Sequence, residues 1–237
     1  MRLDLFLVEN GLVDSRTRGL NLIKLGGIKV NGKIATKPSL NVEKEDNIEV
    51  DDIIKFASLG GLKLYEAITK FSIDDLGVCV DLGASNGGFT DVLLRSGAEK
   101  VYAVDVGECA LPDNLKNDRR VVVMDRTNAK TVPLENESID FISADLSFIS
   151  ITKVLPEISR LLKNGGRTVI LIKPQFEVGK SNLTKMGLVK SEKVALKAVN
   201  EILNFALSFG LIKVGVTKIP ELFQNKNIEY LAYLRKE

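Results

Sequence analysis

Asp81-Leu82-Gly83-Ala84-Ser85-Asn86-Gly87-Gly88-Phe89-Thr90 is the stretch on which the fold turns. Ahead of it, Val78 to Leu82 is a short apolar run of strand character, and behind it Phe89 to Ser96 patterns as a helix. Small residues at such a bend let the backbone come close to a ligand, and the first amides of the helix, which lack partners inside it, face that ligand. About twenty residues further on, Asp105 ends the next strand, Val101 to Val106, where a carboxylate can accept hydrogen bonds from both hydroxyls of a ribose. Turn, helix and carboxylate together imply a site for an adenosine-bearing cofactor, drawn from Asp81, Gly83, Ala84, Ser85, Gly87, Gly88, Phe89 and Asp105.

Outward from this stretch the chain alternates. Further strands are expected at Arg120 to Met124, Phe141 to Asp145, Thr168 to Lys173, Ile212 to Thr217 and Ile228 to Leu234, with helices at Gly61 to Phe71, Ile151 to Leu162 and Ser191 to Phe209. Strands alternating with helices predict an α/β fold with a Rossmann-like, doubly wound parallel sheet. Only Lys218 to Asn227 separates the last two strands, which are therefore expected to pair as an antiparallel hairpin at the sheet edge.

The first fifty or so residues read differently. Leu3 to Val8 and the Leu20 to Leu25 stretch pattern as two short helices, the second capped by Asp14 or Ser15. Asn31-Gly32 between Ile28-Lys29-Val30 and Lys33-Ile34-Ala35 is a tight-hairpin signal, and Ile48-Glu49-Val50 is a further strand. The expected organisation is a small α+β domain at 1–52, a linker at 53–60 and a catalytic domain at 61–237.

Composition narrows the chemistry. At 237 residues, 45% hydrophobic, the chain can bury a full core, and a net charge of +2 from 33 basic and 31 acidic side chains neither demands nor excludes a polyanionic partner. Histidine is absent, which removes Ser-His and Cys-His catalysis and His-based metal sites, so proton handling falls to Lys, Asp, Glu or Tyr. Cys79 and Cys109, without Cys-x-x-Cys spacing, speak against a zinc site or a disulfide framework, and a reducing cytoplasm fits best. Met1-Arg2-Leu3-Asp4 opens an amphipathic pattern and not a signal peptide, and no apolar run approaches the roughly 20 residues of a membrane span.

Lys63, Asp145, Lys173 and Glu229 stand where a doubly wound sheet places ligand-facing groups, at or just beyond strand ends or on a helix beside them. Lys173 is the residue to explain: it ends the apolar run Val169-Ile170-Leu171-Ile172, and a lysine there is costly to keep charged unless carboxylates surround it. Spacing alone leaves a dehydrogenase open, because dinucleotide folds use a related turn. The terminal hairpin and Asp81 favour S-adenosylmethionine, since an acidic residue just before the Gly turn repels a pyrophosphate but can hold an amino acid end, directly or through water.

The chain resembles the bacterial hemolysin A-type (TlyA-type) ribosomal RNA 2′-O-methyltransferases, relatives of the FtsJ-like methyltransferases. The resemblance runs almost end to end. It is carried by Gly60-Gly61-Leu62-Lys63-Leu64, Gly83-Ala84-Ser85, Ala103-Val104-Asp105-Val106-Gly107, Arg126-Thr127-Asn128-Ala129, Leu146-Ser147-Phe148-Ile149-Ser150, Lys173-Pro174-Gln175-Phe176-Glu177 and Asn227-Ile228-Glu229. It implies a catalytic tetrad at Lys63, Asp145, Lys173 and Glu229, S-adenosylmethionine as cofactor, no metal, and cytidine ribose hydroxyls of ribosomal RNA or ribosomal subunits as substrate. Departures fall at Leu59, Asn86, Glu108-Cys109-Ala110, Phe223-Gln224 and Lys226.

The small N-terminal unit resembles the RNA-binding domain of the ribosomal-protein S-four type. Arg2, Arg16, Arg18, Lys24, Lys29 and Lys33, with Lys37, supply its positive charge, suited to phosphate contacts that position a structured RNA without reading its sequence. Two rival functions stand beside methyl transfer: a non-catalytic RNA-binding ribosome-assembly factor with a degenerate pocket, and a membrane-lysing protein, against which the lack of a membrane-spanning run argues.

Overall fold

A computed structural model describes residues 1–13, 15–51, 56–220 and 227–237. The chain divides into two compact units, Met1–Leu59 and Gly60–Glu237. Asp14, residues 53–55 of the segment expected as a linker, and the departures at Phe223-Gln224 and Lys226 lie outside the described residues.

In the first unit, α1 (Leu3–Glu9) and α2 (Arg16–Lys24) accompany a three-stranded sheet of β1 (Ile28–Val30), β2 (Lys33–Ile34) and β3 (Ile48–Val50) in the order β2-β1-β3. The Ser15 side chain accepts a hydrogen bond from the Arg18 N–H at 3.2 Å and so caps α2. The β1–β2 turn forms as Asn-Gly demands, with positive φ at both Asn31 and Gly32. Leu3, Leu7, Leu22, Ile23 and Ile28 make its buried core.

Among the described residues, one charged group lies inside this unit. Asp4 is fully buried and accepts from the guanidiniums of Arg2 (Nε, 2.9 Å) and Arg16 (Nη2, 2.7 Å). The Arg2 hydrogen bond, assisted by Arg16 and opposed by burial, pulls the Asp4 carboxyl down to about 2. Two of the cations expected to meet RNA are thus also the counter-ions of a buried carboxylate.

The second unit is a seven-stranded sheet in the order β6-β5-β4-β7-β8-β10-β9. Its strands are β4 (Val78–Leu82), β5 (Lys100–Val104), β6 (Val121–Met124), β7 (Ile139–Ala144), β8 (Leu162–Ile172), β9 (Leu211–Lys218) and β10 (Tyr230–Lys236). β6 to β8 run parallel across the sheet, and β10 lies antiparallel to both β8 and β9. The terminal hairpin forms as expected, but its edge strand is β9, and the last strand in sequence is inserted beside β8. α3 (Leu59–Phe71), α4 (Gly88–Arg95), α6 (Leu155–Leu161) and α7 (Glu192–Leu207) flank the sheet, and a short α5 (Asp113–Lys116) precedes β6.

Two elements differ from the sequence reading. The single helix expected at Ile151 to Leu162 is a 3₁₀ turn, Ile151–Lys153, followed by α6, which starts as Pro156 enters without an N–H to donate. β8 begins at Leu162 and not at Thr168, because Leu162 pairs with Ile139 ahead of the register shift in β7–β8. Phe141, Val80, Leu82, Leu93 and Ile170 are fully buried in the core.

The strand order has a consequence for ligands. After β4 the chain builds β5 and β6 outward on one side, then returns to place β7 on the other side of β4. Connections leaving the carboxyl ends of β4 and β7 therefore diverge, and that crevice is where doubly wound sheets bind ligands.

Candidate active site

Gly83 leaves β4 with φ +88°, and a Cβ built there would stand 2.3 Å from the Asp145 carbonyl oxygen at the end of β7. The Asp145 N–H in turn donates to Leu82 O at 3.0 Å. The Gly-rich turn and the strand that delivers Asp145 are thereby in backbone contact, which only glycine permits. Gly83 and Ala84 N–H groups donate to Val104 O, turning the chain over the end of β5.

At that end Asp105 accepts from the Ser85 N–H (Oδ2, 3.0 Å) and the Gly107 N–H (Oδ1, 2.9 Å). Its carboxylate is held at the rim of a cavity of about 410 Å³ lined by Gly83, Ser85, Val104, Asp105, Thr127, Asn128, Ala129, Asp145, Leu146, Ser147 and Phe148, among others. Of the residues expected around a cofactor, Gly83, Ser85 and Asp105 line this cavity. Ala84, Gly87, Gly88 and Phe89 build the turn and the start of α4 behind it. Thr127, Asn128 and Ala129 were assigned no role from sequence. They were visible only as one of the strings that carry the family resemblance, and they reach the cavity because the loop after β6 crosses its mouth, with the Thr127 N–H on Asp105 O at 2.8 Å.

Asp81 lies deeper. Fully buried in β4, it accepts from Thr90 Oγ1 (2.7 Å) and Ser143 Oγ (3.0 Å), so both of its oxygens are engaged within the protein. Burial lifts its carboxyl from the ordinary 3.8 to about 7, against the two hydroxyls and with help from the Asp145 charge. A folded-state value raised above the unfolded one means the native protein holds this proton more tightly between those limits. This carboxyl therefore contributes stability that declines as pH rises from about 4 to about 7. Asp81→Asn should flatten that part of the pH dependence in denaturant unfolding followed across a pH series; an unchanged slope would place the titration elsewhere.

The four charged residues form two ion pairs. Lys63, on the inner face of α3, donates to Glu229 Oε2 at 2.5 Å, and both are almost fully buried. Lys173, at the end of β8, lies 2.5 Å from Asp145 Oδ1 and donates to Ser147 Oγ at 2.9 Å. The contact to the buried Asp145 Oδ1 is an ion pair outside hydrogen-bonding direction, leaving that oxygen without a directed donor. Strand register joins the two pairs: Tyr230 of β10 is matched with Ile172 of β8, so Glu229 and Lys173 are the next step of the same antiparallel ladder.

Beside Lys173 the chain makes a second unusual approach. Phe148 is 91% exposed with φ +65°, a left-handed conformation that a bulky residue holds only when its surroundings impose it. Its ring meets that of Phe176 at 5.4 Å. An exposed, backbone-constrained aromatic beside an amine and a carboxylate offers a flat surface to a ring-bearing substrate.

In the N-terminal unit, Arg18 donates to Phe56 O at 3.3 Å, Lys29 stands 3.8 Å from Glu49, and Lys24, Lys33 and Lys37 are exposed. Cys79 and Cys109 are buried free thiols. Among the described residues, no cluster of three or more His, Cys, Asp or Glu could hold a metal, and no helix is long and apolar enough to cross a membrane.

Comparison with known proteins agrees with this architecture. The FtsJ-like methyltransferase family matches residues 56–236, and the S4 domain matches residues 1–48. Hemolysin A of Brachyspira hyodysenteriae is 40% identical, covering 98% of this chain and 99% of its own. The 16S/23S rRNA (cytidine-2′-O)-methyltransferase TlyA of Mycobacterium tuberculosis is 39% identical, covering 100% and 90%. A Streptococcus thermophilus protein whose solved structure carries a hemolysin name superposes with a TM-score of 0.75 at 33% identity, covering 100% of this chain and 88% of that one.

Proposed function

This chain belongs to the FtsJ-like methyltransferase family, and from that premise we propose that it methylates the 2′-hydroxyl of a cytidine ribose in ribosomal RNA, with S-adenosylmethionine as donor. The observation that carries the reading is the Lys173–Asp145 ion pair, whose carboxylate lines the cavity that also presents Gly83 and Asp105.

The residues present suit that cofactor. Asp105 can exchange its two backbone partners for ribose hydroxyls, Gly83 leaves room for close approach of a ligand, and Thr127 to Ala129 flank the same space. Asp81 supports the turn from below through Thr90, and reaches the methionine end only by giving up a present hydrogen bond or through water. When bound, S-adenosylmethionine supplies an electrophilic methyl carbon on a sulfonium centre. The protein's part is to hold the attacking hydroxyl in line and to relieve it of its proton. Lys173 orients and activates that hydroxyl, and its proton leaves to the Lys173–Asp145 pair as the oxygen bonds to the methyl carbon; the carbon–sulfur bond would break with its electron pair on sulfur, releasing a neutral thioether. Lys63 and Glu229, one ladder step away, position Lys173 and the substrate side of the site. No metal takes part in this scheme.

The S4 unit is read as the RNA grip, with Arg18, Lys24, Lys29, Lys33 and Lys37 meeting phosphates and Arg2 and Arg16 contributing from beside Asp4. A target of this kind places the protein in the cytoplasm with ribosomal subunits.

Mapping 2′-O-methylation on ribosomal RNA, incubated as naked RNA, subunits and whole ribosomes with protein and cofactor, tests the proposal; no new methylation on any of them overturns it. Asp105→Ala should weaken S-adenosylmethionine binding, since a hydrogen bond to a charged group contributes about 1.5–3 kcal/mol. Calorimetric titration measures this, and unchanged affinity would put the ribose elsewhere.

A further inference from the structure

Segment Leu146–Ile149 carries Ser147, which accepts from Lys173, and Phe148, yet among the described residues no backbone hydrogen bond holds it. The last such donor before it is the Asp145 N–H and the next after it is the Lys153 N–H. Its Leu146 and Ile149 side chains pack against the core, and its polar and aromatic ties come from the other loop of the site. Lys173, on Ser147, and Phe176, against the Phe148 ring, supply these.

Glu177 acts on the residues that follow, Ser150 and Ile151. Its Oε2 accepts from Ser150 Oγ at 2.6 Å and its Oε1 accepts from the Ile151 N–H at 2.9 Å. Ser150 caps the 3₁₀ turn Ile151–Lys153, so the carboxylate sits on an N–H that the turn itself leaves without a partner. Glu177 is also fixed at its own root: its N–H donates to Pro174 O at 3.0 Å, closing the turn that begins at Lys173. One carboxylate thus ties the loop after β7 to the loop after β8, the two loops that supply Asp145, Ser147 and Phe148 on one side and Lys173 on the other.

We propose that Glu177 is a positioning residue for methyl transfer: by holding Ser150 and Ile151 it fixes the Leu146–Ile149 segment, and with it Ser147 and Phe148, against Lys173. The role rests on the reading of Lys173 as the group that activates the hydroxyl. Glu177 has no place in cofactor binding, and its effect falls on the transfer step.

The test compares Glu177→Ala and Glu177→Gln in the full chain. The amide of Gln can still accept the Ile151 N–H and donate to Ser150 Oγ, so it keeps both ties. Glu177→Ala is expected to lower turnover on ribosomal subunits by about 10- to 100-fold, the scale on which a misplaced reacting group costs rate, with S-adenosylmethionine affinity near that of the parent and Glu177→Gln restoring most of the rate. Hydrogen exchange followed in the same variants supplies a readout that does not need turnover: Glu177→Ala should speed exchange at the Ile151 and Thr152 amides, which donate to Glu177 and to Ser150 Oγ, and Glu177→Gln should not. An inactive parent protein would overturn the proposed reaction and leave the exchange comparison to decide the tie. Parent-like exchange of the Ile151 and Thr152 amides in Glu177→Ala, or parent-like turnover, would overturn the positioning role. An equal loss in both variants would do the same.

Discussion

Lys173→Ala is expected to lower methyl transfer by about 10²- to 10⁴-fold, the range contributed by a positioned group acting on the proton of a nucleophile. The amine stands between Asp145 and Ser147, at the end of a buried strand, where the fold provides few other reasons to keep a lysine. Removing it leaves the Asp145 carboxylate without its counter-ion, and that uncompensated charge cannot do the work of the pair. The cofactor side is built from other elements, the β4–α4 turn and Asp105, so S-adenosylmethionine affinity should stay within a few-fold of the parent. Single-turnover methylation and calorimetric titration, run on the same preparation, separate the two effects. Unaltered turnover in the variant would remove Lys173 from the mechanism.

Gly83→Ala should instead impair cofactor binding and transfer together. The residue has φ +88°, which costs a non-glycine residue about 1–3 kcal/mol. Its Cβ would also press on the Asp145 carbonyl oxygen at 2.3 Å, a backbone atom that cannot swing aside as a side chain can. Overpacking of this kind costs a further 1–3 kcal/mol or so. Relief requires the β4 turn or the end of β7 to move. The first displaces the Ser85 N–H from Asp105, and the second displaces Asp145 from Lys173. Affinity should therefore fall by at least about 30-fold, equivalent to about 2 kcal/mol, and transfer by more. Cofactor affinity within a few-fold of the parent would show that the turn yields without cost and that the contact with Asp145 is not the constraint described.

Division of effects between these two positions reflects the way the sheet is wound. The chain leaves β4 and returns beside it as β7, so the turn that faces the cofactor and the strand end that faces the substrate touch through a single glycine. Asp81, buried beneath both with Thr90 on one oxygen and Ser143 on the other, links α4 to β7 inside the same crevice.

Much of this was legible in the sequence because it is local. The strand–turn–helix around Gly83, the carboxylate at Asp105, the alternation that makes a doubly wound sheet and the Asn31-Gly32 hairpin are all stated by residues within a few positions of one another, where backbone preference and hydrophobic period act directly. Lys63, Asp145, Lys173 and Glu229 could be marked as strand-end or helix charges for the same reason. Their pairing could not. Lys63 and Glu229 are 166 residues apart, and which carboxylate meets which lysine depends on the strand order that sets β10 beside β8 and on the register that puts Glu229 one step beyond Tyr230. The engagement of Asp81 with Thr90 and Ser143, the left-handed Phe148 and the tie from Glu177 to Ser150 and Ile151 belong to the same class. The Asp81–Ser143 and Glu177 contacts join segments 62 and 26–27 residues apart. Sequence pattern determines what a segment becomes, whereas side-chain partners across segments exist only once burial has brought the segments together and every polar group taken from water has had to find another.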